Sequence, residues 1–314
     1  MSRILVTGAT GFVGKRLLTM LYERGHATLA AIRRASSSVD VAGESVVVGD
    51  IHADTNWQPV LQGIDVVVHL AARVHVMQET ESDPLTAFRQ VNTEGTRRLA
   101  EAAAAAGVKR LVYISSIKVN GEETTDQPFT AADPVNVPLD PYAQSKWEAE
   151  QLLKEISRRT GLEVVIIRPP LVYGPGVKAN FLSLIKLARL GLPLPLGSIH
   201  NRRTLVALDN LADLIALCCE HPAAAGEVFL AGDDETLSTA ELVSRIRRAL
   251  GMKARVFRFP PGLMAFAAGL FGKQAVWRRL NGSLAVDNSA AKQRLGWQPV
   301  TSMDEELQRI IMQM

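Results

Sequence analysis

The chain has 314 residues, of which 47% are apolar and 21% charged, with a net charge of +3. This composition excludes a disordered chain, and the length suits about two domains or one large domain with an insertion. The charge is too small to argue for a nucleic-acid partner. Its two cysteines, Cys218 and Cys219, are adjacent, which excludes a disulfide framework and leads us to expect a reducing, cytoplasmic location.

Short β-branched runs alternate with longer helical patterns along the first half. Arg3 to Thr7, Thr28 to Ile32, Ser45 to Val48, Asp65 to Leu70, Arg110 to Ser115 and Glu163 to Arg168 read as strands. Their near-continuous apolarity marks strands covered on both faces. Phe12 to Arg24, Leu85 to Ala106 and Tyr142 to Thr160 read as helices between them. The alternation predicts an α/β fold with parallel βαβ units in a doubly wound sheet. After Arg168 the rhythm breaks at Pro169-Pro170, Gly174-Pro175-Gly176 and Pro193 to Gly197, turn signals around one short helix. A helix near Asp209 to Glu220, a strand at Val228 to Leu230 and helices from Ser238 follow. The C-terminal third thus reads as a smaller, mostly helical domain over the C-terminal edge of the sheet, where α/β proteins bind ligands.

No integral membrane segment and no export signal is expected. The early apolar run Ile4-Leu5-Val6 ends at Thr7-Gly8. The longest apolar stretch, Leu263 to Phe271, is about half of what a bilayer crossing needs. We expect it to be a core helix or a lid of the substrate domain, in preference to a helix lying on a membrane. Six histidines, His26, His52, His69, His75, His200 and His221, are scattered without ligand spacing, so no metal site is expected.

The first strand runs into Gly8-Ala9-Thr10-Gly11-Phe12-Val13-Gly14. Glycines there permit a tight turn, close backbone approach to a pyrophosphate, and close packing of helix on strand. About 20 residues on, an acid would normally take the adenosine ribose. This chain has Arg33-Arg34 instead. Two guanidiniums suit a 2′-phosphate, which favours NADP(H) and leaves NAD(H) open. Asp50-Ile51 follows the third strand, placed to meet the adenine.

Tyr142 and Lys146 stand at i and i+4 on one face of a helix start. A nearby ammonium is expected to lower the phenol's pKa and make it a usable acid–base group. Ser116, at the end of the fifth strand, can converge with Tyr142 on one carbonyl oxygen.

Taken together, Gly8-x-x-Gly11-x-x-Gly14, Asp50-Ile51, His69-Leu70-Ala71-Ala72, Asn92, Ser116 and Tyr142-x-x-x-Lys146 resemble the extended short-chain dehydrogenase/reductases. Arg168-Pro169, Val172-Tyr173-Gly174-Pro175-Gly176 and Leu295-Gly296-Trp297-Gln298-Pro299 extend the likeness over almost the whole chain. The resemblance implies a Rossmann NAD(P) domain over residues 1–169, rejoined by 205–232. It assigns substrate binding to 170–204 and 233–314. It implies Ser116, Tyr142 and Lys146 as the catalytic group, and Leu70, Ala71, Ala72 and Pro169 among the cofactor contacts. Asn92 is expected to be a helix-kink residue. The helices Leu85 to Ala106 and Tyr142 to Thr160 resemble those that pair in a homodimer.

Members that act on nucleotide sugars carry an Asn after the Tyr-Gly-Pro-Gly turn, matched by Asn180, and an Arg that grips the pyrophosphate, matched by Arg203. Arg279 is a looser match for a second phosphate ligand. Dehydratases of this kind place an Asp-Glu pair where this chain has Ile117-Lys118, which argues against dehydration. The expected activity is NADPH-dependent reduction of a UDP-4-keto-6-deoxy-N-acetylhexosamine for bacterial surface polysaccharide. The alternative is a UDP-glucose or UDP-N-acetylglucosamine 4-epimerase with tightly bound NAD.

Overall fold

The computed structural model describes residues 1–35, 43–74 and 83–314, apart from the side chains of Ala179 and Asn180. Among these residues the strands are β1 (Arg3–Thr7), β2 (Ala27–Ile32), β3 (Glu44–Val47), β4 (Val66–His69), β5 (Arg110–Ile114), β6 (Glu163–Arg168), β7 (Leu171–Tyr173), β8 (Arg203–Ala207), β9 (Val228–Leu230) and β10 (Thr236–Leu237). Seven of them form one parallel sheet in the order β3-β2-β1-β4-β5-β6-β9. The winding reverses between β1 and β4, which opens the crevice where doubly wound folds hold ligands. There the register sets Thr7 beside His69.

Strand alternation sends successive side chains to opposite faces. Ile4 and Val6 meet Leu17, Leu18 and Leu21 of the helix Phe12–Glu23 and Leu214 of the helix Leu208–Glu220. Leu5 faces Leu99 of the helix Gly95–Ala105 and Leu153 of the helix Pro141–Thr160. Each fully buried side chain of this size contributes about 1.5–3 kcal/mol, so both layers are needed to hold the sheet.

The single helix expected over Leu85 to Ala106 is three pieces: Pro84–Phe88, a π-helical segment Arg89–Glu94, and Gly95–Ala105. Buried Asn92 sits in the π segment. Its Oδ1 accepts from the Arg73 backbone N–H at 2.8 Å, and its Nδ2 donates to the Arg73 carbonyl at 3.0 Å and the Ser145 hydroxyl at 3.0 Å. These tertiary bonds supply a local reason for the widened turn.

Beyond β6 the helical region surrounds a second, three-stranded sheet, β10-β8-β7. β7 falls where the sequence reads as turns. Three residues are too few to show a period, and β7 forms by pairing with β8. A further core of Tyr173, Phe181, Leu205, Ile246, Met303 and Leu307 fills this region. The expectation that Leu263 to Phe271 is a core helix is not met: the helix Pro261–Leu270 has no buried residue. An apolar run has no polar face to show which side is covered, and here most of it is uncovered.

Candidate active site

A cavity of about 860 Å³ opens at the C-terminal ends of the central strands. Its walls bring together Gly8, Thr10, Gly11, Phe12, Val13, Gly14, Arg33, Asp50, Ile51, Leu70, Ala71, Ala72, Ser116, Tyr142, Lys146 and Pro169. Arg34, Arg203 and Arg279 are not in its lining. The side chain of Asn180 lies outside the described residues, although its backbone opens the helix Ala179–Arg189. Sequence reasoning missed Val91, Ile114 and Leu171, which also line the walls; nothing in an ordinary strand end or helix face marks them.

The glycine loop is sterically exacting. Gly8 has φ +67, and a Cβ there would stand 2.8 Å from the Ala71 nitrogen. A Cβ on Gly14 would stand 2.2 Å from the Gly8 carbonyl oxygen. The loop therefore lies flat against the neighbouring backbone. Gly11 caps the helix Phe12–Glu23 without a side-chain bond, so the first N–H groups stay available to an anion.

The catalytic candidates come from two helix starts. Asp140 caps the helix Pro141–Thr160, accepting from the Ala143 N–H at 2.9 Å, with Pro141 in the first turn. That cap fixes Tyr142 at the cavity wall, where Phe88 meets its ring edge-on at 5.9 Å. Ser116 caps the short turn Ile117–Val119, accepting from the Lys118 N–H at 3.2 Å. Ser116 and Tyr142 line the same cavity, close enough for the hydroxyl to act on the phenol. Lys146 is buried, donates to the Ile114 carbonyl at 2.8 Å, and stands 4.5 Å from the centre of the Tyr113 ring.

Burial governs the charges. It pushes Tyr142 up to about 12, only partly offset by the Ser116 hydroxyl. Lys146 is not among the groups that shift Tyr142, so the expected lowering of the phenol's pKa is not met. The ammonium is directed at the Ile114 carbonyl and the Tyr113 ring. Burial pushes Lys146 down to about 7, against the pull of Glu150. His69 is pushed down to about 3, first by burial and then by Lys146, and is neutral. It serves as a bridge, with Nδ1 2.7 Å from Thr7 Oγ1 and Nε2 2.9 Å from Thr96 Oγ1.

Beneath the site lies a buried ionic group, of which only Arg168 stands in a sequence motif, Arg168-Pro169. Arg168 pairs with Glu150 at 2.9 and 2.5 Å, and Ser115 donates to Glu150 at 2.6 Å. The group ties β5 and β6 to the helix carrying Tyr142 and Lys146. Removing one partner of such a buried pair commonly costs about 3–5 kcal/mol.

The two-arginine clamp is altered by a contact between neighbouring strand ends. Arg33 pairs with Asp50 instead of standing free, and both are exposed. Arg203 and Arg279 do come together: the Arg203 guanidinium donates to the Arg279 carbonyl. Burial lowers the pKa of Arg203, and Glu123 opposes that shift. Among the described residues no cluster of His, Cys, Asp or Glu could hold a metal ion.

The glycine loop, the switch-point cavity and the Ser-Tyr-Lys group together define a dinucleotide-dependent enzyme fold. The chain belongs to the NAD dependent epimerase/dehydratase family, which matches residues 4–232. It is 47% identical over 305 residues to a UDP-glucose 4-epimerase of Vibrio cholerae, covering 96% of this chain and 92% of that one. A 2-alkyl-3-oxoalkanoate reductase of Stenotrophomonas maltophilia is 30% identical over 329 residues, covering 98% of each. The solved structure of MoeE5 in complex with UDP-glucuronic acid and NAD superposes with a TM-score of 0.77 at 27% identity, covering 99% of this chain and 98% of that one.

Proposed function

We propose that this protein is a UDP-sugar 4-epimerase, of the UDP-glucose or UDP-N-acetylglucosamine type, that works with tightly held NAD. The observation that carries this reading is the 47% identity to a UDP-glucose 4-epimerase over nearly the whole chain. It displaces the NADPH-dependent reductase expected from Arg33 and Arg34. Arg33 is engaged by Asp50, and Arg34 is outside the cavity lining. Both features suit a ribose without a 2′-phosphate.

The cavity fits a dinucleotide: its volume lies in the range of cofactor sites, and the loop at Gly8 and Gly14 has no room for a Cβ. When bound, the nicotinamide supplies the hydride acceptor and donor that these side chains lack. Tyr142 removes the proton from the sugar's 4-hydroxyl and returns it. Ser116 hydrogen-bonds the same oxygen, so the charge developing there is held from a fixed position. Lys146 lines the same cavity and would hold the nicotinamide ribose. Residues 170–204 and 233–314 take the substrate, with Asn180 and Arg203 as contacts and Arg279 as a second phosphate ligand. The fork of Arg203 suits a diphosphate, pairing two oxygens at once. The helices Gly95–Ala105 and Pro141–Thr160 are the proposed homodimer surface.

The test is product analysis. Purified protein should carry NAD and convert UDP-glucose to UDP-galactose with no net change in reduced-nicotinamide absorbance. One NADPH oxidised per UDP-4-keto-6-deoxy-N-acetylhexosamine, with no epimerisation of either UDP-hexose, would restore the reductase.

A further inference from the structure

The helix Pro261–Leu270 is anchored on one side only. Met264 packs with Trp277 against the C-terminal core. On the outward side Leu263, Phe266 and Leu270 recur at i, i+3 and i+7, a single helical stripe, and are 57%, 73% and 73% exposed. Phe271 continues the stripe at 73%. Scattered exposed apolar residues are ordinary, but a contiguous row of large ones marks a docking surface.

Charge identifies what the surface fits. Between Gly251 and Gly282 there are six basic residues, Lys253, Arg255, Arg258, Lys273, Arg278 and Arg279, and no Asp or Glu. All six are exposed. The whole chain carries only +3, so everything outside this segment is net acidic. The positive charge is therefore concentrated in the stretch of chain that carries the apolar stripe. A second copy of the chain is a poor occupant, because a symmetric contact would set these like charges against each other. A bilayer with anionic headgroups satisfies both features at once.

Geometry limits the depth. A helix of ten residues is about 15 Å long. No described helix is long and apolar enough to cross a membrane. The segment can lie in the interface but cannot span it.

We infer that the Pro261–Leu270 helix docks the enzyme on an anionic lipid surface. Leu263, Phe266, Leu270 and Phe271 enter the boundary between headgroups and acyl chains, while the flanking lysines and arginines meet the lipid phosphates. This inference rests on the exposed stripe and its charge, and does not require the epimerase reading. The helix leads through Lys273 into the helix Gln274–Asn281, whose Arg279 carbonyl binds Arg203. Docking thus occurs on the part of the fold that also carries the proposed diphosphate ligand.

The test is co-sedimentation of the full chain with phosphatidylcholine vesicles, with and without phosphatidylglycerol. The wild type should bind the phosphatidylglycerol vesicles at least tenfold more tightly, and about 1 M salt should release it, since screening then acts within about 3 Å. Phe266→Ser with Phe271→Ser should weaken the partition tenfold or more. Arg258→Glu with Lys273→Glu should remove the preference for phosphatidylglycerol. Each variant should keep a melting temperature close to that of the wild type, because all four side chains are exposed. No binding to either vesicle, or binding unchanged in both double variants, would overturn the inference. So would a lipid-free dimer that Phe266→Ser dissolves.

Discussion

Replacing Lys146 by methionine should make the protein more stable at neutral and acid pH while abolishing its activity. In the unfolded chain this lysine has its ordinary value of 10.5, and in the folded protein it is pushed down to about 7. Between those values the unfolded chain binds more protons, so folding stability rises as pH rises from about 7 to 10.5. Below about 7 the full cost of burying the ammonium is present. At 1.36 kcal/mol per pKa unit that cost is about 5 kcal/mol. Methionine fills a similar volume and carries no charge. It forfeits the hydrogen bond to the Ile114 carbonyl, worth about 1–2 kcal/mol. It also forfeits the contact with the Tyr113 ring, worth about 1–2 kcal/mol when desolvated. The balance is a gain of about 2 kcal/mol at pH 6, or roughly 4–8 °C in melting temperature. The gain should vanish toward pH 10, where the wild-type lysine is neutral in the folded state. Thermal unfolding of nucleotide-free protein from pH 6 to pH 10 reads this directly, since a bound ligand would mask it. A variant that melts below the wild type at pH 6, or a difference that does not change with pH, refutes the reasoning. A stabilising loss of function here would place Lys146 among residues kept for chemistry at the expense of the fold.

Tyr142→Phe should lower kcat by about 10²–10⁴-fold while NAD binding, followed by calorimetry, stays within a fewfold of wild type. Gly14→Ala should cost at least about 2 kcal/mol of stability in denaturant titration and abolish NAD binding, because its methyl group would overlap the Gly8 carbonyl. Asp50→Ala should release Arg33 and shift the ratio of NADP to NAD affinity upward; an unchanged ratio would mean that the Arg33 pairing does not govern cofactor choice. Arg203→Ala should raise KM for a UDP-hexose by about 10–100-fold, the equivalent of losing one charged hydrogen-bond partner, with cofactor affinity unaltered.

The sequence by itself determined the parts of this protein that depend on local period and backbone sterics. Short, nearly continuous apolar runs mark strands covered on both faces, so all seven strands of the central sheet were readable to within about a residue at each end. The glycine loop was readable because nothing larger than hydrogen fits at Gly8 and Gly14. Tyr142 and Lys146 were readable because helical spacing alone puts i and i+4 on one face. What depends on partners distant in sequence was decided only by the tertiary structure. β7 and β10 are too short to carry a period and exist by pairing with β8. The π segment at Asn92 depends on bonds to Arg73 and Ser145. The pairing of Arg33 with Asp50 arises only where the folded sheet brings their two strand ends together. The charge state of Lys146 is set by burial, which no motif reports. The apolar run from Leu263 read as a core helix because its composition has no face. Only the packing of neighbouring elements decides which side of such a helix meets protein, and here Leu263, Phe266 and Leu270 are left exposed.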